Sequence, residues 1–153
     1  MREQLIEFET AKLAKEKGFK EPVADYYLEG GVLLESFEAC DTYSESYYVD
    51  KTDLLENFND NWKRTLGGGS CIGCSDPKFK ESFSAPTQSL LQKWLREEHN
   101  VSVIVGHCLK SGHTLEFEVL VYDVNEWSQK DYRMFKTYEL ALEKGLFEAL
   151  KLI

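Results

Sequence analysis

Ala85-Pro-Thr-Gln-Ser-Leu-Leu-Gln-Lys-Trp-Leu-Arg-Glu-Glu-His-Asn100 runs straight into Val101-Ser-Val-Ile-Val105, and this junction decides the fold. The first stretch reads as one amphipathic helix over about 86–98. Leu90, Leu91, Trp94 and Leu95 fall on one face at helical spacing, and Gln92, Lys93, Arg96 and Glu97 fall on the other. Pro86 suits a first helical turn, where its missing N–H is no loss, and Ser84 or Thr87 can cap the start. The second stretch reads as a strand. A helix with an apolar stripe needs a surface to cover, and this strand begins that surface.

Toward the C-terminus, Val101 to Cys108 and Thr114 to Tyr122 form two strands around Lys110-Ser-Gly-His113. Leu115, Phe117, Val119 and Val121 share one face of the second strand, which makes that face core. Asn125 to Lys136 reads as a polar connection, with Met134-Phe135 packing back. The last helix spans about 137–152. Tyr138, Ala141, Leu142, Gly145, Leu146, Ala149 and Leu150 keep the helical period without a miss. Ala141, Gly145 and Ala149 form a small-residue ridge that lets this helix lie close to a sheet or a partner helix. With Trp94, the ridge belongs to the core, a symmetric homodimer being the other use for such surfaces.

Toward the N-terminus, Leu5-Ile6 can begin a short strand, and a helix follows over about 8–18. Gly18 stands where a left-handed C-terminal cap is wanted, with Phe19 beyond to close it. Val23 to Phe37 reads as a hairpin, turned by Glu29-Gly30-Gly31. Tyr47-Tyr48-Val49 reads as a strand and Lys51 to Phe58 as a short helix. Leu66 to Pro77 is a flexible loop rich in glycine and cysteine. Two strands cannot cover two helices alone, so the hairpin at 23–37 is expected to extend the C-terminal sheet. The fold class is therefore α+β. The reading is one domain over residues 1–153, with a small, mostly antiparallel sheet packed by helices at about 8–18, 86–98 and 137–152.

The chain has 153 residues, 42% hydrophobic and 29% charged, which suits a water-soluble globular protein with one core. No run approaches the roughly 18–20 apolar residues of a membrane helix. The charged N-terminus is no signal peptide, and the four cysteines then suit a reducing cytoplasm. The net charge is −9, and residues 21–60 carry eleven acidic residues against Lys51 alone, a local sum of −10. Such a field repels phosphate backbones and attracts basic proteins, so no direct nucleic-acid or membrane partner is expected. Within it Asp25, Tyr26, Glu29, Glu35, Glu38, Asp41, Tyr47 and Tyr48 interleave carboxylates with tyrosines and are the candidate protein-binding residues. Carboxylates spaced along strands can imitate DNA phosphates toward a basic partner. The plainer reading is an acidic solvent face with tyrosines in cross-strand pairs.

Four blocks in order, 8–19, 52–57, 85–96 and 138–153, resemble an uncharacterised family of small phage- and prophage-associated proteins of Bacteroides-type gut bacteria. The resemblance implies a phage-derived, intracellular setting in a bacterial host cell and carries no activity or site residues. It does not touch the Gly/Cys loop.

The sharpest chemical motif is Cys71-Ile-Gly-Cys74, with His107 and His113 around the later hairpin. A C-x-x-C knuckle offers two thiolates to one tetrahedral zinc, and the hairpin can offer two imidazoles. No second C-x-x-C accompanies it, so a flexible loop with two free thiols is the expected state and no cofactor is required. A redox dithiol lacks the helix N-terminus that lowers a thiol pKa. A zinc deaminase lacks its His-x-Glu and its proline. Gly67-Gly-Gly-Ser70 has no following lysine, so it is no P-loop, and Gly68 to Ile72 lacks the last glycine of a nucleophile elbow. Asn57 to Asn61 lacks the glycine and glutamate of a calcium loop. No catalytic residue is assigned. The expected function is protein binding by a non-enzymatic accessory protein, the alternatives being zinc binding at Cys71/Cys74 and an enzyme whose site forms only in space.

Overall fold

The computed structural model describes residues 3–35, 82–110, 114–124 and 128–153. The elements, in chain order, are α1 (Phe8–Glu16), β1 (Asp25–Leu28), β2 (Val32–Glu35), β3 (Ser82–Ser84), α2 (Gln88–His99), β4 (Val101–Lys110), β5 (Thr114–Asp123), β6 (Ser128–Phe135) and α3 (Tyr138–Leu150). The fold is α+β, with two three-stranded antiparallel sheets ordered β2-β1-β3 and β4-β5-β6. They belong to two compact units, one comprising Met1–Phe19 with Pro86–Ile153 and the other Lys20–Ala85.

The first unit holds the three helices. Helix α1 ends as its sequence requires. Gly18 adopts φ 86°, and its N–H reaches Lys15 O at 3.0 Å while Phe19 N–H reaches Ala14 O at 3.0 Å. These two bonds close a Schellman motif. Thr87 caps α2, its Oγ1 accepting from Leu90 N–H at 3.3 Å, so Pro86 lies just before the helix rather than in its first turn. Asn100, at φ 58°, turns the chain from α2 into β4, a conformation its short polar side chain tolerates. Thr137 caps α3 in the same way, accepting from Leu140 N–H at 3.2 Å.

The small-residue ridge of α3 faces its own sheet rather than a partner. Ala141 and Ala149 are fully buried, as are Leu146 and Leu150. A Cβ at Gly145 would stand 2.5 Å from methyl groups of both Val103 and Val119. Trp94 is buried and meets Phe19 edge-on, with ring centroids 5.4 Å apart. Leu5 and Thr87 form an isolated antiparallel bridge, not a longer strand. Tyr138 lies at the end of the stripe and is exposed.

The sheet beneath the helices differs from the expectation in its third strand. Residues 128–135, expected within a polar connection, form β6 and pair with β5. An edge strand gets its stability from backbone pairing and can do without a full apolar alternation. Because β6 supplies the third strand, the hairpin is not needed there. Its first strand, β1, instead pairs with β3 in the other sheet, Tyr27 lying opposite Leu33 of β2 on one side and Phe83 of β3 on the other. On β5, Val119 and Val121 are fully buried but Leu115 is 50% exposed, so the expected core face holds only over its second half. The change follows a bulge. Phe117 pairs Phe135 while Glu118 pairs Arg133, which leaves Met134 as the extra residue at φ 77°.

Candidate functional site

β1 is the middle strand of its sheet, and that decides the fate of the first acidic candidates. Asp25 and Tyr26 are buried there. The Asp25 carbonyl accepts from Ala85 N–H at 2.9 Å. Asp25 is also in register with Glu35 on β2. Glu29 is exposed in the turn, where Gly30 and Gly31 hold φ 102° and 81°. Gly31 N–H closes that turn onto Leu28 O at 2.9 Å. Val32 and Leu33 are 54% and 43% exposed. Neighbouring strand residues point to opposite faces, so both faces of β2 are open where it leaves the turn. The hairpin tip thus exposes a carboxylate, Glu29, in the turn and one aliphatic side chain on each face of the strand that follows. Glu38, Asp41, Tyr47 and Tyr48 lie outside the described residues.

Of the proposed zinc ligands, His107 is on β4, opposite Phe117, with its ring exposed. Cys71, Cys74 and His113, with the loop at 66–77, lie outside the described residues. Among the described residues no three His, Cys, Asp or Glu side chains converge on a point that could hold a metal ion.

Two carboxylate clusters are assembled by the fold that the sequence reading did not find. Glu143, on α3, is 7% exposed. Its Oε1 accepts from Glu7 N–H at 2.9 Å and from Thr10 Oγ1 at 2.5 Å, and its Oε2 accepts from Gln88 Nε2 at 2.9 Å. The Gln88 amide also donates to Glu139 O at 3.2 Å. Glu7 is the N-cap residue of α1 and makes no side-chain cap of its own. Glu143 therefore binds at the positive end of α1 from another helix, where a carboxylate is favoured. With its lone pairs directed at these three donors, the group fixes α1 and α2 to α3. A signal was present in the sequence. Thr10 and Gln88 are polar residues on otherwise apolar stripes, and such residues need a buried partner.

The second cluster lies on the outer side of α3. Glu148 Oε1 receives Lys144 Nζ at 2.7 Å and Lys151 Nζ at 2.9 Å. Its Oε2 accepts from Tyr132 OH at 3.2 Å. Lys151 also sits 4.2 Å from the centre of the Phe147 ring. Burial pushes the Glu148 carboxyl up, but hydrogen bonds from Lys144 and Lys151 outweigh it and hold the pKa at about 2. Burial, and then Glu148 itself, push Tyr132 up. A carboxyl depressed on folding stabilises the protein above its unfolded value and loses that contribution as pH falls through its folded one. Glu148→Gln is therefore expected to cost about 1 kcal/mol at pH 7, the lysines being well exposed. The cost should fade between roughly pH 4.5 and 2. Urea titrations of both proteins across that range check this, and a pH-independent difference would contradict it.

Among the described residues no helix is long and apolar enough to cross a membrane. No protein-family model, no curated protein and no solved structure matches the chain.

Proposed function

We propose that the chain is a phage-derived, non-enzymatic accessory protein that acts by binding a basic protein of its bacterial host. The supporting observation is the hairpin tip, where exposed Glu29 in the turn is followed by exposed Val32 and Leu33 in a segment whose charge sums to −10 over residues 21–60. Aliphatic area supplies affinity, and the acidic field selects and steers a basic partner. Asp25 and Tyr26, being buried, support the strand that presents this surface and do not belong to the contact. The phage setting rests on the four sequence blocks.

The test is a tagged pull-down from bacterial host lysate at low and high salt, with wild type beside the double variant Glu29→Lys, Val32→Asp. Both positions are exposed, so the variant keeps its fold. One basic protein recovered in stoichiometric amount, reduced at high salt and absent with the variant, is the expected result. Equal recovery by both baits, or no basic protein at all, would overturn the reading.

A further inference from the structure

The β1–β2 hairpin narrows to one side chain at its tip. Leu28 pairs with Val32, and between them stand Glu29, Gly30 and Gly31, of which only Glu29 has a side chain. Behind that tip the two faces of the hairpin follow from the register. Residues opposite each other on antiparallel strands share a face. Val32 lies opposite Leu28, so one face runs from exposed Val32 to buried Leu28. Leu33 lies opposite Tyr27, and Tyr27 lies opposite Phe83. The other face therefore runs from exposed Leu33 through half-buried Tyr27 to buried Phe83.

A single exposed aliphatic residue needs no explanation. Two in succession on a paired strand are another matter, because they face opposite ways. A flat partner surface covers one of them and leaves the other in water. A cleft covers both, one wall lying over Val32 and the other over Leu33. Glu29 leads the tip, so its carboxylate meets the floor of such a cleft. With two glycines behind it, the leading turn adds little bulk. The segment's charge of −10 over residues 21–60 selects a cleft of the opposite sign.

We propose that the hairpin tip is a wedge, residues 28–33 entering a cleft of a basic protein. The cleft has apolar walls for Val32 and Leu33 and a lysine or arginine on its floor for Glu29. This rests on the reading of the tip as the contact with a basic partner and adds the shape that partner must have. Layers packed face to face on a sheet lie about 10 Å from it. The two walls thus stand about 20 Å apart, backbone to backbone. Basic charge on a flat surface does not fit.

The test takes the basic host protein recovered by the full-chain bait and measures its affinity for wild type, Val32→Thr, Leu33→Thr and the double variant. Threonine keeps strand propensity and both positions are exposed, so the circular dichroism spectrum should not change. Each single variant is expected to weaken binding about tenfold, and the double about 100-fold. Hydroxyl-radical footprinting of the wild-type complex, which needs no variant, should show both Val32 and Leu33 losing label. If one variant binds like wild type, or one of the two residues keeps its label, the tip docks by a single face. The wedge then falls while the basic partner stands. Recovery of no basic protein would overturn partner and wedge together.

Discussion

Glu143→Leu is expected to destabilise the protein by about 3 kcal/mol, a fall in thermal midpoint of about 10 °C. Leucine matches the volume and suits the helix, so the loss is one of hydrogen bonding. The Glu7 N–H and the Thr10 hydroxyl lose their acceptor and the Gln88 amide keeps only Glu139 O, at a position that is 7% exposed. A buried donor left unpaired costs about 1–3 kcal/mol, more than the net worth of the bond it made. The first turn of α1 also loses the negative charge at its positive end. Glu143→Gln should cost less but still destabilise, because its amide keeps one acceptor and turns an NH2 group toward another donor. Adding Thr10→Val to Glu143→Leu removes one orphaned donor and should recover part of the loss. Chemical denaturation of the three variants checks the order. A Glu143→Leu protein within about 0.5 kcal/mol of wild type would show that water takes over the donors.

Gly145→Ala is the second large effect, and its sign is the point of interest. On helix propensity alone alanine gains about 1 kcal/mol over glycine. Here the added methyl would sit 2.5 Å from Val103 Cγ1 and from Val119 Cγ2. Both valines are buried, on adjacent strands, and β-branched side chains have little rotamer freedom to yield. The helix must lift from the sheet instead, and overpacking costs typically 1–3 kcal/mol. A net loss of about 2 kcal/mol is expected. Truncating Val119 should be less damaging in the Gly145→Ala background than in wild type, because it relieves one of the two clashes. A double-mutant cycle measures this coupling. Additive effects, or a stabilised Gly145→Ala, would mean that the ridge has slack.

How much of this was legible before the structure differs by element. The three described helices were, because their period and end signals agreed, while the expected helix at 51–58 lies outside the described residues. Thr87, Gly18 and the stripe from Ala141 to Leu150 each carry a local signal that the structure bears out. β6 was not, because an edge strand with polar side chains looks like a loop when only alternation is counted. That single miss produced the next one. Without β6 the C-terminal sheet has only two strands, and the hairpin at 23–37 is the remaining candidate to extend it, whereas it belongs to the other sheet. The acidic stretch 21–60 was legible as a charge sum, but not which of its residues are exposed. The burial of Asp25 and Tyr26 follows from β1 lying between two strands, and β3 is only three residues long. Glu143 was hidden for a different reason. A single glutamate beside an apolar stripe looks like a solvated flank, and only its three donors, from two distant segments, reveal otherwise.

Those donors also set a timetable for synthesis. The Glu7 amide waits for a carboxylate 136 residues further along the chain. At about 5–20 residues per second, a ribosome needs roughly 7–27 s to supply it. Helix α1 can be locked in place only when α3 has left the exit tunnel. For that interval its apolar face, Ala11 and Ala14, has no α3 to lie against. A pause in translation before residue 143 would prolong that exposure.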